Sequence, residues 1–346
     1  MVDSIKIVRP DDWHLHLRDG DVLADTVFHS SRQFGRAIIM PNLKQPIINV
    51  AQAFDYRQRI LKNCPSGSDF NPLMTLYLTD NTSAKEIIEA SKNDFIKGVK
   101  LYPSGATTNS DAGVTDIKSC YQVFEAMQKH HLPLLVHGEV TRKDIDIFDR
   151  EKMYIDHVLN PLHKDFPELK IIFEHITTAD AVEFINQSDH HLAATITVHH
   201  LMMNRNDMLV GGIKPHYYCL PVLKKNSHQQ ALIKAATSGS TRYFLGTDSA
   251  PHSQQFKESG CGCAGMFSAH AAIELYAQVF EQAGALDKLE QFASFNGPDF
   301  YNLARNKAFL SLVREDWQVP EYYNFGQDRV IPLQAGKIIS WKIQGS

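Results

Sequence analysis

The chain has 346 residues, 43% hydrophobic and 21% charged, with a formal net charge of -4. That balance suits a soluble globular protein with a large core and offers no basic footprint for nucleic acid. No run of about 18 apolar residues suggests a membrane span, and five scattered cysteines do not make a disulfide framework. The start of the chain, Met1 to Lys6, lacks an apolar core behind a basic region, so the expectation is a cytoplasmic protein with reduced thiols. Only Cys261 and Cys263 are close in sequence, and one such pair is a weak zinc-finger signal.

In chain order, short apolar segments alternate with helix-favouring ones. Asp12-Trp13-His14-Leu15-His16-Leu17-Arg18-Asp19-Gly20 opens the series. As a strand it points His14 and His16 to one face, and Trp13, Leu15 and Leu17 to the other. Residues 22–34 separate it from 36–42, a buried strand ending in a turn at Pro41 and Asn42. A helix over 51–62, a strand over 72–79 and a helix opened by Ser83 follow, with Glu86 at capping-box spacing. Further strands are expected over 98–103, 133–137, 170–175, 191–199 and 242–248, and helices over 115–130, 179–186 and 221–237. Eight strands, mostly followed by helices, predict parallel pairing through crossovers, and eight is the number that closes a (β/α)8 TIM-type barrel. The competing doubly wound open sheet lacks its glycine-rich phosphate fingerprint after the first strand. Helices over 267–282 and 286–294 and a tail with apolar runs at 329–333 and 337–343 complete the chain. With no linker or repeat, the expectation is a single domain over 1–346, its extension from about residue 305 packed on the barrel.

Barrel active sites form at the C-terminal ends of the strands. His14 and His16 fall at the end of the first strand, Lys100 in the fourth, and His137, His175 and Asp248 at the ends of the fifth, sixth and eighth. Singly, each is more often a hydrogen-bonded structural residue, and a lone His-x-His pair more often sits beside a carboxylate than on a metal. Six such residues on five strands that converge at one mouth point to a metal centre. Lys100 stands apart, because an ammonium repels a cation. Either it pairs with an acidic neighbour, or its deprotonated amine adds carbon dioxide to give a carbamate whose two oxygens can bridge two metals.

Trp13-His14-Leu15-His16-Leu17-Arg18-Asp19-Gly20, Met40-Pro41-Asn42, Gly98-Val99-Lys100-Leu101-Tyr102, Leu135-Val136-His137-Gly138-Glu139 and Gly246-Thr247-Asp248-Ser249-Ala250-Pro251-His252 together resemble the dihydroorotases of the amidohydrolase superfamily. The resemblance is closest to the shorter, single-function bacterial type. It implies a zinc-dependent cyclic amidohydrolase that interconverts L-dihydroorotate plus water and N-carbamoyl-L-aspartate in pyrimidine synthesis. It further implies two zinc ions per subunit, one held by His14, His16 and Asp248, the other by His137 and His175. Lys100, carboxylated by carbon dioxide, would bridge them. Asp248 would also move the catalytic proton. The substrate would meet Arg18, Asn42 and His252 at its α-carboxylate, His137, and the main chain of Leu220 and Ala264. Thr107 and Thr108 would reach it from a lid formed by residues 104–113. A homodimer is implied, with a small-molecule substrate and no nucleic-acid or membrane partner.

Two other readings remain at this point. A hydantoinase or allantoinase would share the metals but not the cationic pair Arg18 and His252, which a ring without a carboxylate leaves unpaired. A non-catalytic scaffold on the same barrel predicts eroded ligands, whereas all six are present. The neighbouring His199 and His200 read as structural or surface residues, and His130 and His131 as a helix end.

Overall fold

The computed structural model describes residues 2–345. A first strand, β1 (Ser4–Val8), precedes eight that lie side by side in chain order: β2 (Asp12–Leu15), β3 (Arg36–Ile39), β4 (Asn71–Tyr77), β5 (Ile96–Leu101), β6 (Leu134–Val136), β7 (Ile171–Phe173), β8 (Leu192–Ile196) and β9 (Tyr243–Leu245). Every neighbouring pair among these eight is parallel. The ends of the sheet meet just past the strands. Leu15 bridges Ser249, the Asp248 N–H donates to the His14 carbonyl at 2.8 Å, and the His16 N–H donates to the Ser249 carbonyl at 3.1 Å. The expected TIM-type barrel is therefore what forms.

Strand alternation divides the apolar residues between two cores. Ile38, Leu73, Leu135, Ile172, Ala193 and Phe244 point inward and cluster with Trp13 and Tyr301. Ala37, Ile39, Leu134, Val136, Leu192 and Ala194 point outward and join the larger core shared with the helices. Trp13 breaks the alternation expected of it. The register of β2 against β3 shifts between Asp12 and Leu15, so Trp13 turns inward and stacks on Tyr301 with ring centroids 4.6 Å apart, while Leu15 and Leu17 face outward.

Several expected helices are shorter. The 115–130 segment is a 3-10 turn, Ile117–Cys120, leading into Tyr121–Lys129, and the 221–237 helix is confined to Asn226–Ala236. The 267–282 helix begins only at Ala272, because Phe267 is extended and bridges Pro332. Ser83 caps its helix as expected, but Glu86 does not close the box. Its carboxylate accepts instead from the Val50 N–H at 2.8 Å and ties two helices together.

The tail is a β structure. β10 (Phe309–Gln318) lies between β1 and β13 (Ile338–Ile343) in an antiparallel sheet, and β11 (Tyr323–Phe325) pairs with β12 (Asp328–Val330). Trp341 of β13 is fully buried and donates its indole N–H to Glu281 at 3.1 Å, at the end of the helix Ala272–Gln282. The first residues of the chain and its last strand thus close over the same side of the barrel.

Trp13 is gripped from outside the barrel as well. A Cβ added at Gly297 would lie 1.9 Å from Trp13 Nε1. Gly297→Ala must therefore displace the ring next to His14, and the expected loss of stability is about 1–3 kcal/mol in urea unfolding. An unchanged midpoint would show that the helix Asn296–Phe300 does not lock this end of the barrel.

Candidate active site

Barrel closure assembles the first ligand group. Where the first and last strands meet, Asp248 Oδ1 lies 3.1 Å from His16 Nε2 and 3.5 Å from His14 Nε2. The donor atoms of the three residues all fall within 4.8 Å of one another, a span that one cation can bridge. The His175 ring centroid lies 4.8 Å from that of His14 and 4.9 Å from that of His137. Lys100 of β5 is wholly enclosed, close enough to His137 and His175 to act on both electrostatically. His14, His16, His137, His175 and Asp248 line one small inner cavity, together with Arg18, Asn42, Tyr102, Thr107, Thr108, Leu220 and Ala264. Five of the six expected ligands thus line one cavity, and the buried Lys100 acts on two of them electrostatically.

The electrostatics suit a cation. Burial lowers His16 to about 3, against the pull of Asp248, and lowers His137 and His175 as well, so these rings are neutral near pH 7, the form that ligates metal. Burial works against ionised Asp248, but the His16 hydrogen bond, and in acid the positive charge on the neighbouring imidazoles, outweigh it and hold the carboxyl well below the usual carboxylate range. Lys100 is pulled down to about 8 by burial, and its Nζ has no hydrogen-bond partner; neither has His175 Nδ1. Buried polar atoms without partners are costly, and such a set of nitrogens around a carboxylate fits a metal centre.

Buried carboxylates that the sequence reading passed over aim these ligands. Glu174 Oε2 lies 2.6 Å from His14 Nδ1 and accepts from the Thr195 hydroxyl at 2.7 Å, which leaves His14 Nε2 facing Asp248. Glu139 Oε2 holds His137 Nε2 at 2.9 Å. Asp12 accepts from the Thr247 N–H at 2.8 Å and the Thr247 hydroxyl at 2.6 Å, clamping the two strand ends that carry His14 and Asp248. Glu151 gathers the N–H and hydroxyl groups of Thr177 and Thr178, fixing the turn after His175. Glu174 and Glu139 stand one and two residues from a ligand, a proximity that was visible in the sequence. Three site residues also adopt the left-handed backbone region: Arg18 at φ 61°, His175 at 41° and Asp248 at 44°. Each such residue costs about 1–3 kcal/mol unless its surroundings hold it, and here the closure bonds and the Thr195 hydroxyl on the His175 N–H do so.

Opposite the ligands is a polar wall. Arg18 Nε donates to the Pro251 carbonyl at 2.9 Å, and Nη2 lies 3.0 Å from His252 Nε2, which is also 3.0 Å from the Ala264 carbonyl. One imidazole nitrogen cannot accept from Arg18 and donate to Ala264 at once, so this wall has a hydrogen-bonding position to spare. Among the described residues no carboxylate lies in ion-pair contact with Arg18. The 104–113 loop covers the cavity, with Asn42 Nδ2 donating to the Thr108 carbonyl and Asn109 Nδ2 to the Asn42 carbonyl, each at 3.0 Å. A wider opening, lined by Arg18, Lys44, Arg59, Thr108, His252 and Phe256 among others, shares Arg18 and Thr108 with it and contains none of the six candidate ligands.

His199 and His200 are not surface residues: both are buried, on the helix Val198–Met202 where a continuing strand was expected. His200 is spent on the Thr197 hydroxyl at 2.7 Å and the Pro221 carbonyl at 3.0 Å, a structural role. All five cysteines are free.

Carboxylate contacts of the Glu174 kind typically contribute 10- to 100-fold in metal affinity, so Glu174→Gln is expected to weaken divalent-ion binding by about that factor while the barrel stays folded. Equilibrium dialysis against zinc, with circular dichroism on the same samples, checks it. Wild-type affinity would remove Glu174 from the centre.

The model of the Amidohydrolase family matches residues 7–308. The dihydroorotase of Cupriavidus pinatubonensis is 61% identical over 342 residues, 99% of each chain. The crystal structure of Campylobacter jejuni dihydroorotase superposes with a TM-score of 0.91 at 38% identity, covering 99% of this chain and 98% of that one. The L-hydantoinase of Arthrobacter aurescens shares the fold at a TM-score of 0.80, but only 14% of its sequence, with 99% of this chain and 85% of that one covered. With a strand-end ligand set around one barrel mouth and full-length identity at this level, the chain belongs to the amidohydrolase family, among its dihydroorotases.

Proposed function

We propose that the chain is a dihydroorotase, interconverting L-dihydroorotate plus water and N-carbamoyl-L-aspartate. The observation that carries this reading is Arg18, a cation that burial disfavours and that makes no ion pair among the described residues, the Asp248 charge acting on it only from beyond contact. A substrate α-carboxylate supplies the missing charge and can also use the spare position at His252. A hydantoin with an apolar substituent would leave Arg18 buried and unpaired at a cost of about 1–3 kcal/mol. The non-catalytic reading has no use for six converging ligands.

His14, His16 and Asp248 would hold one zinc ion and His137 and His175 a second, with Lys100 between them. Lys100 fits that place because burial favours its neutral amine, which can add carbon dioxide and lose a proton to become a bridging carbamate. When bound, the ions acidify a water so that it can attack near neutral pH and polarise the carbonyl under attack. The rest falls to side chains. Arg18, Asn42 and His252 fix the carboxylate, and the main chain of Leu220 and Ala264 meets the ring amides. One Asp248 oxygen stays on the ligand side, and the other takes the proton of the attacking water and returns it to the departing ring nitrogen. Thr107 and Thr108 line the cavity under the closed loop, where their hydroxyls can reach substrate and exclude water. The reading includes a single domain over 1–346 and a cytoplasmic homodimer. Burial of Trp341 supports the first, and the free thiols agree with the location.

The test is turnover of dihydroorotate and of an alkyl hydantoin by one preparation, before and after chelation and after zinc is restored. Dihydroorotate turnover that chelation abolishes and zinc restores is expected; hydantoin turnover alone would overturn the assignment. Asp248→Asn keeps one oxygen for the metal but cannot accept the proton, so kcat should fall about 100-fold or more at nearly constant zinc content. Wild-type turnover in a zinc-replete sample would remove Asp248 from the proton-transfer role.

A further inference from the structure

Lys257 ends the short helix Gln254–Lys257 and is 2% exposed. Its ammonium donates to three main-chain carbonyls, Tyr218 at 2.7 Å and Cys263 and Gly265 at 2.8 Å each. All three hydrogens are used, and all three acceptors are peptide groups. A methionine would fill the same volume without desolvating a charge, so core packing alone does not account for a lysine here. The acceptors bracket the two cavity-lining positions on this side of the site: Cys263 and Gly265 flank Ala264, and Tyr218 precedes Leu220 by two residues. The two segments are also joined directly, the Gly265 N–H donating to the Tyr218 carbonyl at 3.0 Å. On its other side Gly265 packs against the loop after Asp248, since at φ 145° a Cβ there would lie 2.3 Å from the Ala250 carbonyl oxygen.

We propose that Lys257 is a positioning residue that ties the 218–220 and 263–265 segments into one wall and sets the spacing of the Leu220 and Ala264 main-chain groups that receive the ureide edge of the substrate. The inference rests on the dihydroorotase reading and adds to it a division of labour. Arg18, Asn42 and His252 read the carboxylate, and the wall that Lys257 holds reads the ring amides and the ureido group of the open form. Lys257 touches no substrate. Losing it therefore weakens recognition of the ureide more than recognition of the carboxylate.

The experiment uses zinc-loaded full-length enzyme. Lys257→Met removes all three donors, and Lys257→Gln keeps two on a shorter arm. For each, kcat and KM for dihydroorotate and carbamoyl aspartate are measured, with inhibition by succinate, a dicarboxylate that lacks the ureide. In Lys257→Met, KM for both substrates should rise about 10-fold or more, while succinate inhibition stays within about twofold and zinc content is unchanged. Lys257→Gln should fall between, and it decides the matter if Lys257→Met does not fold. If substrate KM and succinate inhibition move together, or only the thermal midpoint moves, Lys257 is a structural residue and the proposal is wrong. Wild-type turnover of dihydroorotate reports on the function separately, so failure of the wall and failure of the assignment give different results.

Discussion

The barrel closes through two peptide hydrogen bonds, from Asp248 to His14 and from His16 to Ser249, and the rest of the site depends on that junction. Main-chain pairing between the first and last strands is what sets the side chains of His14, His16 and Asp248 within reach of one ion. The same bonds hold Asp248 in a left-handed backbone that an open sheet would not enforce. Asp12 reinforces the joint from below, bonding Thr247 and the His14 N–H together. Ring closure and ligand geometry are thus one constraint, and a register error at β2 or β9 would break both at once.

Around this junction the protein collects groups that stability alone disfavours. His175, His199 and Lys100 carry buried nitrogens without partners, and Glu174 and Glu139 each leave one oxygen unbonded. Unsatisfied groups of this kind each cost about 1–3 kcal/mol, so they persist only where the surrounding fold is strong. The inner cluster of Trp13, Phe244 and Tyr301 and the outer helical core supply that strength on both sides of each strand. Cavity size alone would not single out this mouth, since the wider opening beside it holds none of the six candidate ligands.

What could be read from the sequence follows from which interactions are local. Strand alternation and strand-end position are local, and they located His14, His16, His137, His175 and Asp248 as well as the eight-strand order. Trp13 escaped because a register shift against β3 is a property of two strands, not of one. β10 escaped because one of its faces is polar, so its role as the central strand between β1 and β13 depends on partners about 300 residues apart in the chain. Glu86 carried a capping signature, but a neighbouring helix competed for its carboxylate and won. Lys257 left no pattern at all, because its three partners are peptide carbonyls, which every residue possesses.

Lys100 and Lys257 show how one physical effect serves two ends. Burial pulls both ammonium groups down to about 8. Lys257 is then surrounded by three carbonyls that accept every one of its hydrogens, so the charged form is the one its site is built for. Lys100 finds no hydrogen-bond acceptor, only the face of the Tyr102 ring 5.1 Å from its Nζ and the more distant charges of Glu174 and Asp248. An amine in that position can give up its proton without breaking a hydrogen bond, whereas Lys257 cannot do so without withdrawing a donor from a buried carbonyl. The difference between the two lysines therefore lies in the acceptors each was given, and depth of burial does not distinguish them.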